Sequence, residues 1–305
     1  MNKKNYIWLG ILVILVIVFF LSRQREFVER RMDLFNFNSD DITRVEFIQP
    51  VDTLIIVRTE GGWMIEHPRV VPVRETQLTR FFTEYLELTA SRTPISESVD
   101  RQERFQVDEA SGIQIAVFGR NNRLLSRKFL GRGQNPNVAY IRAANDNKIY
   151  QISNVFSAVN PSMHAWRENR IVTFAENEIN SIAIARGGTT YTLTQEFGMW
   201  NVVFADEEHN ITLGNADFRR FMNTLTGLST NVFFDDEYES FEARFVNPAL
   251  GFLVTLNTGE EVILSIAQLD DNAYILKRND ETNTLYRLTA GLFNQLAVEA
   301  DRFIE

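Results

Sequence analysis

Two short stretches of the chain place a histidine beside carboxylates. Glu66 precedes His67, and Glu207-Glu208 precede His209, in a chain with three histidines and no cysteine. Imidazole and carboxylate groups are ligands that zinc accepts, so the two stretches together could form a metal site. Neither stretch supplies three ligands alone, and the alternative is that both are solvated loops. We favour the loops and predict no metal site.

Two acidic runs also invite a chemical interpretation. Asp235-Asp236-Glu237 and Asp270-Asp271 could bind calcium or act as the paired carboxylates of a glycosidase. The calcium-loop spacing, with a central glycine and a terminal glutamate, is missing. Catalytic carboxylate pairs are defined by their separation in space, which a sequence does not give. Surface turns are the simpler interpretation.

Other catalytic patterns are missing from the sequence. There is no Gly-x-Ser-x-Gly elbow, no Gly-x-x-x-x-Gly-Lys-Ser/Thr phosphate loop and no His-Glu-x-x-His pair. Gly131-Arg132-Gly133 and Gly187-Gly188 are predicted to be hairpin turns, and His164 is predicted to pack or cap a helix. Without cysteine, disulfides and thiolate catalysis are excluded. The sequence therefore predicts no catalytic, cofactor-binding or metal-binding residue, and no cofactor.

Trp63 and Trp200 could be platforms on which a sugar stacks. Each stands between a turn and an amphipathic helix, at the same place in a pattern that occurs twice. A buried indole contributes a large apolar area, so we favour core anchors over ligand platforms.

The repeated pattern extends well beyond the tryptophans. Trp63 and Trp200 are 137 residues apart, and Leu78 and Phe218, which open the apolar helix faces, are 140 apart. The helix faces are Leu78, Phe81, Phe82, Tyr85 and Leu88 in the first half, and Phe218, Phe221, Met222, Leu225 and Leu228 in the second. Spacings of three and four residues are typical of one face of a helix. A duplication of this size predicts two similar domains.

Each half reads as strands, one helix, more strands and a closing helix. This order predicts an α+β fold, in tandem duplicated domains, each with a mainly antiparallel sheet and amphipathic helices. The predicted strands are 42–48, 54–58, 63–65, 113–118, 124–130, 138–142 and 149–152, then 179–185, 189–195, 199–204, 252–257, 261–267, 273–278 and 284–288. The predicted helices are 74–88, about 154–166, 215–228 and a last one that ends at Ile304. We place the first repeat at 42–174 and the second at 179–305, with the junction in residues 170–178.

An apolar segment at 5–22 precedes these domains. It has 18 uncharged residues between Lys4 and Arg23, and at about 1.5 Å per residue a helix of this length spans roughly 27 Å, close to the hydrocarbon thickness of a bilayer. A cleaved signal peptide is the alternative, but the end of the segment offers no small-x-small cleavage site. We predict an uncleaved signal anchor in the membrane, with a single span, followed by a charged juxtamembrane connector at 23–41.

The orientation of the anchor has two interpretations. More Lys and Arg residues follow the span than precede it, which would place the C-terminal body in the cytoplasm. A short N-terminal tail with Lys3 and Lys4 is instead the form of a bacterial signal anchor, and large domains often translocate regardless of flanking charge. We expect the body to be extracytoplasmic.

The body is strongly acidic. The whole chain has a net charge of −9, whereas the first 31 residues carry six basic and two acidic side chains. Such a body repels phosphate backbones, so we predict that nucleic acid is not a partner. Hydrophobic residues make up 45% of the chain, including 24 phenylalanines, which is typical of packed domains.

Four short motifs occur together in this sequence. They are the strand opening Asp40-Asp41-Ile42-Thr43, the turn Gly61-Gly62-Trp63 followed by Pro68 and Pro72, the strand with Ala139-Tyr140 and the strand with Tyr150-Gln151-Ile152. This set resembles a known bacterial family, the domain of unknown function 4340. Many members have tyrosine-glycine-leucine before the middle strands, where this chain has Arg104-Phe105-Gln106-Val107 and Arg244-Phe245-Val246. The resemblance implies an accessory role beside ABC transporters of the gliding-motility type, and it implies no catalytic residue.

The function that we expect is non-catalytic. We predict a membrane-anchored interaction or scaffold subunit, with a protein partner in an ABC-transporter-linked envelope complex. The alternative is an envelope enzyme or glycan-binding module with a site in the interdomain cleft.

Overall fold

A computed structural model of the chain describes residues 31–50, 52–212, 214–281 and 283–304. The chain divides into two compact units, Met1–Glu168 and Asn169–Glu305. The predicted anchor at 5–22 and the first part of the predicted connector lie outside the described residues. Within the described ranges, no helix has the length and apolar character needed to cross a membrane.

The first unit contains an eight-stranded antiparallel sheet. Its strands are β2 (Ile42–Ile48), β3 (Thr53–Thr59), β4 (Gly62–His67), β5 (Val71–Pro72), β7 (Ile113–Gly119), β8 (Arg123–Arg132), β9 (Val138–Ala143) and β10 (Ile149–Ser153). They lie in the order β10-β9-β8-β7-β2-β3-β4-β5. Two further strands, β1 (Arg31–Asp33) and β6 (Thr89–Ser91), pair with each other. The helices are α1 (Glu75–Arg80), which continues as a π-helical turn at Phe81–Tyr85, and α2 (Met163–Trp166).

The second unit contains another eight-stranded antiparallel sheet. Its strands are β11 (Ile179–Arg186), β12 (Thr189–Glu196), β13 (Met199–Phe204), β14 (Glu207–Asn210), β15 (Leu250–Leu256), β16 (Glu261–Asp270), β17 (Ala273–Arg278) and β18 (Tyr286–Thr289). They lie in the order β14-β13-β12-β11-β15-β16-β17-β18. The helices are α3 (Ala216–Thr226), α4 (Tyr238–Phe241) and α5 (Ala290–Leu296), followed by a 3-10 turn at Ala300–Phe303.

The two sheets have the same topology. The second order, read from its other end, matches the first strand by strand, with β2 equivalent to β11 and β7 equivalent to β15. Val45 pairs with Val117, and Ile182 pairs with Val254, so these pairs keep the offset of the tryptophans. A β-bulge also recurs near the start of both β2 and β11. The α+β class with two mainly antiparallel sheets is confirmed.

Each copy begins before its first long strand, with a segment tied to the end of the helical region. The Leu34 N–H donates to the Leu88 carbonyl at 3.1 Å in the first unit. The Ile171 N–H donates to the Leu228 carbonyl at 2.8 Å in the second. In each unit a 3-10 turn then leads into the first long strand, at Ser39–Asp41 before β2 and at Glu176–Glu178 before β11. The equivalent bonds show that these leading segments are part of the duplicated fold.

The leading segments differ from the sequence interpretation. Residues 31–41, which we assigned to the connector, and residues 170–178, which we assigned to the junction, each contribute to a folded unit. The ring of Phe35 is buried in the core of the first unit, and the ring of Phe174 is buried in the core of the second. Leu34, Phe35 and Phe37, and the equivalent Ile171, Val172 and Phe174, are too few to show the period of a helix or a strand, so the pattern did not reveal these segments.

The core of each unit lies between its sheet and its helices. In α3, the buried residues Phe218, Phe221, Met222 and Leu225 follow the predicted helical spacing. In the first unit, Tyr85 is fully buried, and its hydroxyl has no hydrogen-bond partner among the described residues. Burial raises the pKa of this phenol.

Two predicted helices are shorter in the structure. The helix predicted at 74–88 consists of α1 and the π-helical turn. The helix predicted from about residue 154 is limited to α2. The side-chain Oδ1 atoms of Asn154 and Asn160 accept hydrogen bonds from the backbone N–H groups of Phe156 and Ser162, at 3.0 and 2.9 Å. Such Asx turns compete with a helix for the same backbone donors.

One predicted turn begins later than expected. Gly131 and Arg132 lie inside β8, and only Gly133 belongs to the connection between β8 and β9. A β-carbon at Gly131 would lie 1.9 Å from the Phe105 carbonyl oxygen, so glycine is needed because another segment passes against the strand. Gly187 and Gly188 do form a turn between β11 and β12, with φ of 55° and 85°.

Candidate functional site

The carboxylates beside the histidines take part in structural contacts. Glu66 pairs with Arg44 at 3.0 Å, on the face of the first sheet. His209 Nε2 lies 3.5 Å from the Glu207 carboxylate in β14. His67 ends β4 in the first unit and is exposed, whereas His209 belongs to the second unit. Among the described residues, no group of three or more His, Asp or Glu side chains is placed to hold a metal ion.

The acidic runs lie at turns and loop ends. Thr284 Oγ donates to the Asp235 carboxylate at 3.1 Å. The Asp270 carboxylate accepts the backbone N–H of Asn272 at 2.8 Å, in the turn between β16 and β17. These contacts hold local chain conformation. His164, in α2, is exposed, while Trp166 two residues later is fully buried.

The two repeated tryptophans differ in exposure. Trp200 is 5% exposed, and its indole N–H donates to the Glu176 carboxylate at 3.2 Å. Trp63 is half-buried, with its ring edge-on to Phe82 at 6.0 Å. Stacking on a sugar requires an open ring face, which the buried Trp200 does not offer.

An exposed aromatic residue lies at the turn between β12 and β13. Glu196 pairs with Met199, so Phe197 and Gly198 form a two-residue turn, with φ of 50° and 79°. Left-handed backbone at both positions is a type I′ turn, in which asparagine, aspartate and glycine are preferred. Phe197 is 101% exposed and Met199 is 59% exposed. We name Phe197 and Met199 the apolar turn.

The equivalent turn of the first unit is polar. By the offset of 137 residues between the paired strands, Glu60 and Gly61 stand where the second unit has Phe197 and Gly198. In this turn only Gly62 has a positive φ, of 120°. The apolar turn is therefore a feature of one copy and is not required by the fold.

The outer edges of both sheets are covered or short. The Ile95 N–H donates to the Ile149 carbonyl at 2.8 Å, which covers β10. The Arg287 N–H donates to the Val232 carbonyl at 3.1 Å, which covers β18. The opposite edges, β5 and β14, have two and four residues. Covered and short edges disfavour pairing with a strand from another chain.

A hollow of about 610 Å³ lies in the first unit. Residues 34–37, 124–128 and 143–145 line it, and this surface is named the Lys128 hollow. The Lys128 ammonium lies 5.1 Å from the centre of the Phe35 ring. Lys128 is half-buried, and burial lowers its pKa because the charged form loses solvation. The lining has two basic residues and no carboxylate.

The second unit has an ion pair at the equivalent place. Lys128 lies opposite Ala143 on β8 and β9, whereas Leu264 lies opposite Arg278 on β16 and β17. The Arg278 guanidinium donates to the carbonyl of Ile171 and pairs with Asp280 at 2.5 Å. Since Ile171 is the equivalent of Leu34, Arg278 bridges the two segments that remain apart around the Lys128 hollow.

A protein-family profile matches residues 63–248, which is more than half of the chain. The family is described as Domain of unknown function (DUF4340). The chain belongs to this family. The resemblance inferred from the sequence is therefore confirmed. A search of curated proteins and a search of solved structures each found no match.

The DUF4340 match contains the whole apolar turn and part of the Lys128 hollow. It runs from Trp63 in β4 to Pro248, just before β15, and so contains β8, β9 and the apolar turn. Residues 34–37 of the Lys128 hollow precede it. The match crosses from the first unit into the second.

Our sequence interpretation singled out neither Phe197 nor Lys128. Phe197 stands at the position equivalent to Glu60, and comparing the two halves at the offset of the tryptophans would have revealed it. Lys128 stands at the position equivalent to Leu264. The strand register that justifies the second comparison is known only from the structure.

Proposed function

We propose that this DUF4340 protein is a non-catalytic interaction subunit. The segment at 5–22 holds it in the membrane as a single-pass anchor, with the body outside the cytoplasm. The body binds a protein partner in an ABC-transporter-linked envelope complex. The observation that supports binding most directly is the apolar turn.

The energetics of the apolar turn favour a binding role. A non-glycine residue in left-handed backbone costs about 1–3 kcal/mol. The Phe197 ring is fully exposed, so packing against the described residues does not offset this cost. An aromatic ring at a binding surface can bury about 150–250 Å², and aromatic residues are common among those that dominate binding energy.

The anchor strengthens a small contact. Two proteins held in one membrane meet at a high effective concentration, so a contact of a few side chains is enough for assembly. The carboxylates beside the two histidines hold strands and turns, which favours binding over the alternative of an envelope enzyme or glycan-binding module.

Site-specific photo-crosslinking in native membranes tests the proposal. A photoreactive phenylalanine at position 197 of the full chain should form a light-dependent adduct with one membrane protein, for which a transporter subunit is the expected identity. The same residue at position 246 is the control, because Val246 is 77% exposed in the same unit. Equal adducts from both positions, or no protein adduct from position 197, would contradict the proposal.

A variant pair gives an independent comparison. Phe197→Glu copies the charge of Glu60 and should prevent recovery of the crosslinked partner, whereas Val246→Glu should retain it. Circular dichroism of both variants checks that they are folded. Recovery of the partner with folded Phe197→Glu argues against the apolar turn as the contact.

The enzyme alternative has its own test. Removal of the anchor should abolish function in a cell-based assay of the associated system, and a His67→Ala/His209→Ala variant should be tolerated. A folded, correctly inserted histidine variant without function would favour chemistry over scaffolding.

A further inference from the structure

The Lys128 hollow has a cation at a position where the second copy of the fold has a hydrocarbon. Lys128 lies on the same face of β8 as Leu130, which is 1% exposed, since alternate residues of a strand share a face. Its equivalent in the second unit, Leu264, is fully buried in the core. The lysine therefore occupies the margin of a core, where an ammonium is poorly solvated.

No carboxylate compensates this charge among the described residues. Across the two neighbouring strands, Lys128 faces Ile115 and Ala143. Its described contact is the ring of Phe35. Cations withdrawn from water are normally paired with anions. The charge of Lys128 is thus available to an anion that enters the hollow.

The second unit shows how the same architecture satisfies a cation. Arg278 is held by Asp280, two residues along the chain, and by Glu281 at 3.6 Å. In the first unit, Ala143 stands at the position of Arg278, and Asn145 follows two residues later. The first unit therefore has the cation on the other strand, an amide in place of the carboxylate, and open space in place of the guanidinium.

The rest of the lining is suited to an apolar group. Leu34 and Phe37 lie on the leading segment, and Leu124, which is 46% exposed, lies on β8. Asn36 and Asn145 add amide donors that can bind an anionic oxygen. A volume of about 610 Å³ is within the range of pockets for small organic ligands.

We propose that the Lys128 hollow binds an amphipathic anion, in which a carboxylate or phosphate is attached to a hydrocarbon or aromatic group. The anionic group lies at the Lys128 ammonium, within reach of the Asn36 and Asn145 amides. The apolar group packs against Phe35 and Phe37. This site is independent of the apolar turn and goes beyond the proposed scaffold function.

Calorimetric titration of the full chain in nanodiscs tests the site. The probes are phenyl phosphate and 4-phenylbutyrate, with inorganic phosphate and the neutral 4-phenylbutanol as the matched partial ligands. We expect saturable binding of at least one amphipathic anion, and binding at least about tenfold weaker for the neutral probe, since a hydrogen bond to a charged group is lost. Equal binding of 4-phenylbutanol and 4-phenylbutyrate, or no saturable binding of either anion, would overturn the proposal.

Three variants locate the binding. Lys128→Leu introduces the residue of the second unit and should weaken anion binding by about tenfold or more. Ala143→Met fills the hollow and should also prevent binding. Lys148→Leu removes an exposed lysine from the same unit and should bind as the wild type does. Equal effects of Lys128→Leu and Lys148→Leu would assign the binding to overall charge and overturn the site.

A measurement on the wild-type chain does not depend on folding of the variants. Reductive methylation, followed by mass spectrometry, reports the accessibility of each lysine ammonium. The anionic probes should protect Lys128 and leave Lys148 unprotected. Equal protection of the two lysines would contradict the site.

The source of the natural ligand is decided by native mass spectrometry of the chain purified from its own membranes. A bound anionic lipid that is lost in Lys128→Leu assigns the ligand to the bilayer. Binding of the soluble probes to a chain that carries no lipid assigns it to a soluble metabolite. A bound lipid that is retained equally by Lys128→Leu and Ala143→Met places that lipid elsewhere and contradicts a lipid ligand of the hollow.

Discussion

Ala143 and Arg278 occupy the same register position in two copies of one sheet. Each lies on the strand that follows the long strand β8 or β16, opposite Lys128 in the first copy and Leu264 in the second. The first copy has its cation on the long strand and a small apolar residue opposite, and this arrangement contains the hollow. The second copy has the apolar residue on the long strand and the cation opposite, in an internal ion pair. Duplication allows this divergence because each copy keeps its own core.

The ion pair of the second unit predicts a pH dependence of stability. Burial alone would raise the pKa of Asp280, but its hydrogen bond to Arg278 and the charge of that residue outweigh burial and lower the pKa. A carboxylate with a lowered folded-state pKa stabilises the fold above the unfolded pKa and loses this contribution as pH falls through the folded value. The contribution should therefore be complete at neutral pH and be lost below about pH 4.

Asp280→Asn measures this contribution. At pH 7 the variant should have a lower free energy of unfolding, by less than about 1 kcal/mol, because the pair is partly exposed. The difference from wild type should shrink as the pH is lowered from about 4 through the lowered folded-state pKa of Asp280, below which the wild-type carboxylate is protonated too. Denaturant unfolding of the full chain in detergent over this pH range gives the result, with the exposed Asp271→Asn as control. A difference that grows on acidification would show that the sign is wrong.

The buried phenol of Tyr85 predicts a stabilising substitution. Tyr85→Phe removes a hydroxyl that has no hydrogen-bond partner among the described residues, and it retains the ring that stacks on Phe81 at 5.2 Å. Because an unsatisfied buried polar group costs about 1–3 kcal/mol, the free energy of unfolding should rise by about 1 kcal/mol. Tyr85→Leu, which copies Leu225, loses the ring stacking as well and should gain less. A clear loss of stability in Tyr85→Phe would indicate a partner for the hydroxyl.

The apolar turn predicts a gain of stability from a backbone effect. Phe197→Asn places a residue that tolerates left-handed backbone in the type I′ turn, and the free energy of unfolding should rise by about 1 kcal/mol. Phe197→Ala removes the exposed ring but retains the β-carbon, so it should not give this gain. Thermal unfolding of the two variants separates the effects. Equal gains would attribute the change to the exposed ring and not to the backbone.

The two tryptophans predict unequal losses of stability. Trp200→Ala should cost about 3–5 kcal/mol, as expected for a buried ring. Trp63→Ala should cost about 1–2 kcal/mol, because the half-buried ring removes less apolar area from water. Denaturant unfolding and hydrogen exchange of β13 and β4 compare the variants. Equal costs would show that partial exposure of Trp63 does not limit its contribution.

The charge pattern around segment 5–22 predicts a membrane topology. In intact spheroplasts, an externally added protease should degrade the C-terminal body, because a short tail with Lys3 and Lys4 is typical of a signal anchor. A cytoplasmic marker protein that remains intact is the control. Protection of the body would reverse the orientation and favour the count of basic residues after the span.

The sequence by itself determined the duplication, the α+β class and most of the long strands. These features depend on hydrophobic periodicity and glycine turns within about ten residues, as in the helix face that leads to Phe221 and in the turn at Gly187-Gly188. Such signals need no knowledge of distant parts of the chain. The similar offsets of 137 and 140 residues between the copies then made the second half an internal control for the first.

Only the tertiary structure decided where each copy begins and where the copies differ in function. Leu34 joins the first unit through a hydrogen bond to Leu88, and Gly131 is required by the approach of the Phe105 carbonyl. The Lys128 hollow exists because Ala143 lies across from the lysine. Each of these features is a contact between residues that are distant in sequence, and local propensity and periodicity carry no information about such contacts.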